Sequence, residues 1–227
     1  MTTQRLKLKE AKWLFFDLGN TLLNEQKMLR DYVNQIGARF LDMGVMVSES
    51  KVEAAMRASA EKFTPGIAQG AIELLTSDEK IRAYVYRGVK YKIDLVEAYP
   101  EAKDVLSKLS THYHLGIVAN QHAGNEEHIA RWGIGQFFKV IVISSQSGLK
   151  KPDAAVFSRA IELAETKAAD AVMIGDRIDE DIRPAKQLGW KTVRVTQGIA
   201  SVQKPREPMD YPDATVSNLA QVVELFI

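Results

Sequence analysis

The sequence predicts an α/β protein with a doubly wound parallel sheet and a helical segment inserted after the first strand. Two patterns predict this fold. Short apolar runs alternate with helical stretches through the second half of the chain, as in a parallel sheet covered on both faces. A helical stretch of about seventy residues separates the first apolar run from the others. With 227 residues, of which 46% are hydrophobic, the chain can build one large domain or a domain with a smaller insertion.

The first apolar run is Trp13–Phe16, and it ends at a carboxylate. Four consecutive large apolar residues between Lys12 and Asp17 are typical of a strand that is buried on both faces, in the middle of a parallel sheet. Asp17 then lies at the carboxyl end of this strand, where open α/β sheets bind ligands. Gly19 and Asn20 supply the turn that follows.

Helical periodicity begins after this turn. The first predicted helix has an apolar stripe that consists of Leu29, Val33, Ile36 and Phe40. Gly44 ends this helix, and either Ser48 or Ser50 caps the second one. A third helical region covers residues 72–94, either as one helix or broken near Thr76-Ser77-Asp78. No strand is predicted in this part of the chain.

The remaining predicted strands follow the helical segment. They are residues 115–119, 140–143, 171–174 and 192–195, with a short last strand near 214–216. Residues 196–213 contain three prolines and predict a surface loop. We therefore expect a core domain of residues 1–22 and 96–227, and an inserted helical domain of residues 23–95.

Polar side chains follow four of the predicted strands. They are Asp17, Asn120, Lys151, Asp176 and Asp181. Because the carboxyl ends of neighbouring parallel strands converge, we expect these side chains in one crevice. Carboxylates at this density repel one another unless a cation lies among them, and hard oxygen ligands favour Mg²⁺. Such a site suits phosphoryl transfer, in which the protein holds a phosphoryl group in line with a nucleophile and neutralises its oxygens.

The composition narrows the choice of partners. Lys and Arg number 30, against 29 Asp and Glu, so no excess of positive charge favours nucleic acid, and small molecules are the expected partners. The chain has no cysteine, which excludes disulfides and zinc–thiolate sites and is compatible with a reducing cytosol. Residues 1–12 lack the apolar run of a signal peptide, and no segment has the ~18 continuous apolar residues of a membrane span. We therefore expect a cytoplasmic protein without membrane contact.

Four motifs resemble those of the haloacid dehalogenase-like (HAD) hydrolase superfamily, and the resemblance covers nearly the whole chain. In chain order they are Asp17-Leu18-Gly19-Asn20-Thr21, Ala119-Asn120, Lys151-Pro152, and Gly175-Asp176 followed by Asp181. The resemblance implies a HAD-like Rossmannoid core. It also implies that residues 23–95 form a helical cap over the site.

The resemblance implies a Mg²⁺ site with three or four protein ligands. By it, Asp17 binds the metal through one oxygen, Asp176 is the second carboxylate ligand, and the backbone carbonyl of Gly19 is a third. Asp181 is either a ligand or a partner of the ligands.

The resemblance also implies a phosphatase that forms an aspartyl-phosphate. By it, Asp17 is the nucleophile, and Lys151 orients Asp17 and binds phosphoryl oxygens together with Asn120. The substrate is a small phosphorylated metabolite that the sequence does not identify, and the oligomeric state is open.

Two positions depart from the family pattern. The family's general acid/base lies two residues after the nucleophile, where this chain has Gly19, and its phosphate-binding hydroxyl is replaced by Ala119. Loss of general acid catalysis commonly costs ~100- to 10,000-fold in rate. Loss of a hydrogen bond to a charged oxygen costs roughly 1.5 to 3 kcal/mol more.

These departures leave three hypotheses. The first is a working phosphatase with a restricted substrate range, the second is a HAD fold used for binding or regulation with little turnover, and the third is a metal-free dehalogenase, which the acidic residues around Asp176 disfavour. His122, two residues after Asn120, is either a loop residue or an alternative proton donor. Arg177 and Arg183 are interpreted as ion-pairing residues.

Overall fold

The computed structural model describes residues 8–121 and 125–227. The described residues form two compact units. The core unit contains residues 8–24, 97–197 and 205–227, and the insertion unit contains residues 25–96 and 198–204.

The core unit contains a six-stranded parallel sheet. Its strands are β1 (Trp13–Phe16), β2 (His114–Ala119), β3 (Phe138–Ile143), β4 (Ala171–Gly175), β5 (Lys191–Val195) and β6 (Ala214–Val216). The spatial order is β3-β2-β1-β4-β5-β6. All four residues of β1 are buried, and Phe16 pairs with Ile117 of β2 and Ile174 of β4. The predicted central strand and the predicted α/β class are confirmed.

The insertion unit is built from four helices. They are α1 (Gln26–Asp42), α2 (Glu49–Glu61), α3 (Ile67–Leu75) and α4 (Glu79–Gly88). The apolar stripe predicted for α1 is buried except for Leu29. This residue is partly buried and packs against the apolar cluster that the rest of the stripe belongs to. Ser48, not Ser50, caps α2, because its side chain accepts a hydrogen bond from the backbone N–H of Lys51. Asp78 caps α4 and separates it from α3.

Two short segments differ from the sequence prediction. Leu23–Asn24 pairs in antiparallel register with Glu97–Ala98, so the stretch predicted as all-helical begins and ends at a two-residue strand pair. Residues 198–204, predicted within a surface loop, belong to the insertion unit. Ile199 packs against the apolar cluster of that unit, and Gln203 donates a hydrogen bond to the carbonyl oxygen of Ala60 over 3.1 Å. An apolar side chain and a buried amide outweigh the loop signal of the neighbouring prolines.

Helices flank the core sheet. They are α5 (Ala102–Ser110), α6 (Asn125–Arg131), α7 (Ala154–Leu163), α8 (Arg183–Gln187) and α9 (Ala220–Phe226). A helical turn follows β3 at Ser144–Ser147, and a π-helical turn at Ile178–Ile182 leads into α8. Turns of 3-10 helix lie at Ile93–Leu95, Gly135–Phe137, Ala168–Asp170, Ile199–Val202 and Pro208–Asp210.

Aromatic packing fixes β1 in the core. Phe15 stacks on Trp13 at 5.4 Å between ring centroids and lies 4.9 Å from the ring of Trp190. Trp190 also packs edge-on against Phe157 of α7. This cluster immobilises the strand that carries Asp17 at its end. Among the described residues, no helix has the length and apolar character needed to cross a membrane.

Candidate active site

The strand order places the predicted residues at one edge of the sheet. Asp17 follows β1 directly, Asn120 follows β2, and Asp176 follows β4, so three neighbouring strands deliver these side chains to the same end. The backbone N–H of Asp17 donates to the carbonyl oxygen of Ile174 over 2.9 Å, which extends the β1–β4 pairing to the carboxylate. The loop after β1 turns at Asn20, whose φ of 51° is one that asparagine tolerates.

The ammonium group of Lys151 lies between two carboxylates. Its Nζ donates to Oδ1 of Asp17 and to Oδ1 of Asp181, each over 2.6 Å. The Lys151 side chain is 2% exposed and that of Asp181 is 1% exposed, so these charge-assisted bonds form away from water. Asp17 keeps 12% of its side chain exposed, which leaves a path by which a ligand can reach it.

A glycine allows Asp181 to reach this position. A Cβ at Gly175 would lie 2.3 Å from Oδ2 of Asp181, so only glycine admits the carboxylate against the end of β4. The same oxygen accepts the backbone N–H of Arg177 over 3.0 Å. Asp181 is therefore held on one side by the backbone and on the other by Lys151.

The donor set fits a hard divalent cation. Ligand oxygens of Asp17, Asp176 and Asp181 all lie within 4.8 Å of one another, and all three residues are buried. Three carboxylates and the ammonium of Lys151 leave two negative charges, which one divalent ion neutralises. Oxygen-only ligands favour Mg²⁺ or Ca²⁺ over thiophilic metals. Both oxygens of Asp181 also accept hydrogen bonds, from Lys151 Nζ and from the Arg177 N–H.

Burial and the neighbouring charges shift the pKa values of this cluster. Burial lowers the pKa of Lys151, but the two carboxylates at 2.6 Å outweigh it and raise the pKa above its ordinary value, so this amine stays protonated. Burial raises the pKa of Asp181, and Lys151 opposes that rise only in part. A bound cation would favour the ionised carboxylate.

Asn120 contacts the backbone of Lys151 with both ends of its amide. Nδ2 donates to the Lys151 carbonyl oxygen over 2.9 Å, and Oδ1 accepts the Lys151 N–H over 2.8 Å. Nδ2 also donates to Oε2 of Glu180 over 3.1 Å. The predicted contact of Asn120 with phosphate stays a prediction.

Glu180 is a member of this cluster that the sequence analysis did not assign. Its Oε1 pairs with the Arg177 guanidinium at 3.0 Å, and Arg177 also bonds Asp179. Burial raises the pKa of Glu180 to about 7, against the opposing effect of Arg177. The i, i+3 spacing of Arg177 and Glu180 was the available signal. Arg183 pairs with Asp210, so both arginines form the ion pairs predicted for them.

The two departures from the family pattern lie at the site. Gly19 follows Asp17 by two residues, and Ala119 is the buried last residue of β2. Neither offers a proton or a hydroxyl. The proposed alternative donor, His122, lies outside the described residues.

The comparisons with known proteins agree with this geometry. Residues 14–195 match the model of the haloacid dehalogenase-like hydrolase family, so the chain belongs to that family. The resemblance drawn from the four motifs is confirmed.

Two curated relatives carry names of phosphatases. The chain is 27% identical over 224 residues to the glyceraldehyde 3-phosphate phosphatase of Methanocaldococcus jannaschii, covering 94% of this chain and 96% of the relative. It is 29% identical over 126 residues to the phosphoserine phosphatase of Thermus thermophilus, covering 55% of this chain and 49% of that relative.

A solved structure shares the fold across both units. The crystal structure of a predicted phosphoglycolate phosphatase from Haemophilus somnus 129PT matches with a TM-score of 0.71 and 20% identity, covering 95% of this chain and 98% of the other.

Proposed function

We propose that this protein is a Mg²⁺-dependent phosphatase that hydrolyses a small phosphorylated metabolite through an aspartyl-phosphate on Asp17. The observation that carries the proposal is the Lys151 ammonium, 2.6 Å from both Asp17 and Asp181, beside a third carboxylate, Asp176. Asp17, Asp176 and the Gly19 carbonyl are the proposed metal ligands, with Asp181 as a ligand or as the partner of Lys151. When bound, Mg²⁺ neutralises phosphoryl oxygens and fixes the phosphoryl group in line with the nucleophile.

Asp17 and Lys151 have different roles in the proposed phosphoryl transfer. Lys151 occupies Oδ1 of Asp17, so Oδ2 is the oxygen that attacks phosphorus. The P–O bond to the leaving group breaks as the acyl phosphate of Asp17 forms, the leaving oxygen departs as an alkoxide, and Lys151 balances the charge of the phosphoryl oxygens. Water then attacks phosphorus, and the P–O bond to Asp17 breaks to release phosphate and restore the carboxylate. The proton that the water loses balances the one that the leaving alkoxide takes up from solvent.

The names of the relatives support the substrate class. Both relatives are named for phosphate monoesters of small metabolites, one of them glyceraldehyde 3-phosphate. We also propose that residues 23–95 act as a cap that selects the substrate, and that the protein is cytoplasmic.

The test is phosphate release from a panel of phosphorylated metabolites, with Mg²⁺ and with EDTA. Asp17→Asn removes the nucleophile and is expected to lower turnover to background, since the amide is neither a nucleophile nor an anionic ligand. Asp104→Asn is the matched control, because Asp104 lies on α5 with 66% of its side chain exposed and pairs with Lys108 on the same helix. Equal activity of wild type and Asp17→Asn would refute the proposal, and binding of metabolites without turnover would favour the alternative, a HAD fold used for binding or regulation.

A further inference from the structure

We infer that Asn120 is a positioning residue whose side chain holds the backbone of Lys151 and makes no contact with substrate. This inference rests on the proposed function for its catalytic consequence. Its basis is the pair of bonds in which Asn120 donates to the Lys151 carbonyl over 2.9 Å and accepts the Lys151 N–H over 2.8 Å. The amide therefore pairs with Lys151 as a neighbouring strand would.

The hydrogen-bonding capacity of the amide supports this assignment. A primary amide has two N–H donors, and Nδ2 of Asn120 uses them on the Lys151 carbonyl and on Oε2 of Glu180 at 3.1 Å. No donor is then left for a phosphoryl oxygen. The remaining lone pair of Oδ1 would repel such an oxygen.

Glu180 reinforces the orientation of the amide. The Lys151 carbonyl can only accept and the Lys151 N–H can only donate, so these two groups already fix the two ends of the amide. The Glu180 carboxylate accepts from Nδ2 and pairs with Arg177 at 3.0 Å, which favours the same orientation. Three residues, Arg177, Glu180 and Asn120, therefore form a chain of contacts that we call the bracket. Arg177 anchors Glu180, Glu180 contacts the amide of Asn120, and Asn120 holds the backbone of Lys151.

The bracket has a role in the proposed reaction. The ammonium of Lys151 is held by Asp17 and Asp181, but phosphorylation of Asp17 converts its carboxylate into an acyl phosphate, which removes the negative charge of that carboxylate. The backbone bonds of Asn120 do not depend on this charge. They keep Lys151 beside the phosphoryl oxygens through both steps.

A double-mutant cycle separates positioning from direct contact. Asn120→Ala in the wild type is expected to lower kcat ~10²-fold, the scale of a small misplacement of a catalytic group, with KM changed little. In the Lys151→Met background the same change is expected to cost less than ~3-fold, because the group that it positions is gone. An equal loss in both backgrounds would show direct contact with substrate and overturn the inference.

Ser144→Ala is the matched control. Ser144 Oγ accepts the backbone N–H of Gln121 over 3.0 Å and donates to the Gln121 carbonyl over 3.1 Å, a ring of the same kind one residue further along. Its loss is expected to leave kcat within ~3-fold of wild type. Asn120→Asp, which keeps the acceptor and loses both donors, replaces Asn120→Ala if that variant does not fold.

A second measurement does not require turnover. Acylation of lysine amines, followed by mass spectrometry, reports how well the 2%-exposed Lys151 side chain is held. We expect faster acylation of Lys151 in Asn120→Ala and an unchanged rate in Ser144→Ala. An unchanged rate in both variants overturns the inference. Faster acylation in a chain that releases no phosphate from any substrate supports the bracket and refutes the phosphatase.

Discussion

Restoring an acid at position 19 tests why this site lacks one. Without a proton donor, the leaving oxygen departs as an anion, so phosphates of acidic alcohols, such as aryl phosphates, should react far faster than alkyl phosphates. Gly19→Asp supplies a carboxyl group two residues after the nucleophile. Gly19 is not among the glycines with positive φ, so an L-residue can adopt its backbone conformation.

The expected gain follows from the charges nearby. The carboxylate of Asp17, two residues away, raises the pKa of the introduced carboxyl above its ordinary value, so a fraction of it is protonated and can donate a proton. This fraction is below one at neutral pH, so the gain is smaller than full general acid catalysis would give. General acid catalysis begins at ~100-fold, and we therefore expect a gain of roughly 10- to 100-fold for alkyl phosphates and little change for 4-nitrophenyl phosphate.

The assay is kcat/KM for a series of phosphates whose leaving alcohols differ in acidity. Gly19→Asn is the matched control, because it has the same shape without the acidic proton. If both variants change kcat/KM by one common factor for all substrates, the low rate of the wild type is not caused by a missing proton donor at position 19. A wild-type rate indifferent to leaving-group acidity would point to another donor, and His122→Ala tests the candidate named from the sequence.

Three further predictions concern the metal, the glycine and an ion pair outside the site. Asp176→Asn is expected to weaken Mg²⁺ binding at least about tenfold in calorimetry, and an unchanged affinity would place the metal elsewhere. Gly175→Ala brings a Cβ 2.3 Å from the Asp181 carboxylate, so it should lower the free energy of unfolding by roughly 1 to 3 kcal/mol in urea titrations. Burial raises the pKa of Asp210, but its bonds to Arg183 and to backbone N–H groups outweigh this and lower it. This carboxylate therefore stabilises the fold above about pH 3.9, and the stability difference between wild type and Asp210→Asn, roughly 1.5 to 3 kcal/mol at pH 7, should disappear as the pH falls through the lowered pKa.

The convergence of the candidate residues could be predicted from the sequence because strand ends are local signals. Each of Asp17, Asn120 and Asp176 follows an apolar run, and in a parallel sheet such positions meet at one edge without any knowledge of the side-chain contacts. The hydrogen-bond partners of these side chains could not be predicted, because they are not local in the sequence. Asn120 and Lys151 are 31 residues apart and Asn120 and Glu180 are 60 apart, and no periodic pattern links such positions.

Element boundaries depended on which local signal was strongest. The strands were predicted within two residues because long apolar runs have clear ends. The pair formed by Leu23–Asn24 and Glu97–Ala98 was missed because two residues are too few to show alternation. Residues 198–204 were predicted as surface loop because prolines are typical of loops. The burial of a single isoleucine or glutamine produces no periodic pattern in a short stretch of sequence, so it could not be predicted.

Gln203 provides a direct test of that last segment. It is buried, and its amide donates to the Ala60 carbonyl, which also accepts the N–H of Phe63 over 3.1 Å. Gln203→Leu should therefore cost only roughly 1 kcal/mol in the free energy of unfolding, since that carbonyl keeps one partner. Gln203→Glu should cost roughly 3 kcal/mol at pH 7, because a buried carboxylate would face a carbonyl oxygen. Burial raises the pKa of the introduced carboxyl, so its penalty should vanish below about pH 4.3, where the neutral acid donates to the same carbonyl, and grow as the pH rises. Urea titrations of both variants across this pH range test the prediction. Equal free energies of unfolding for Gln203→Leu and Gln203→Glu at every pH would show that residue 203 is exposed to solvent.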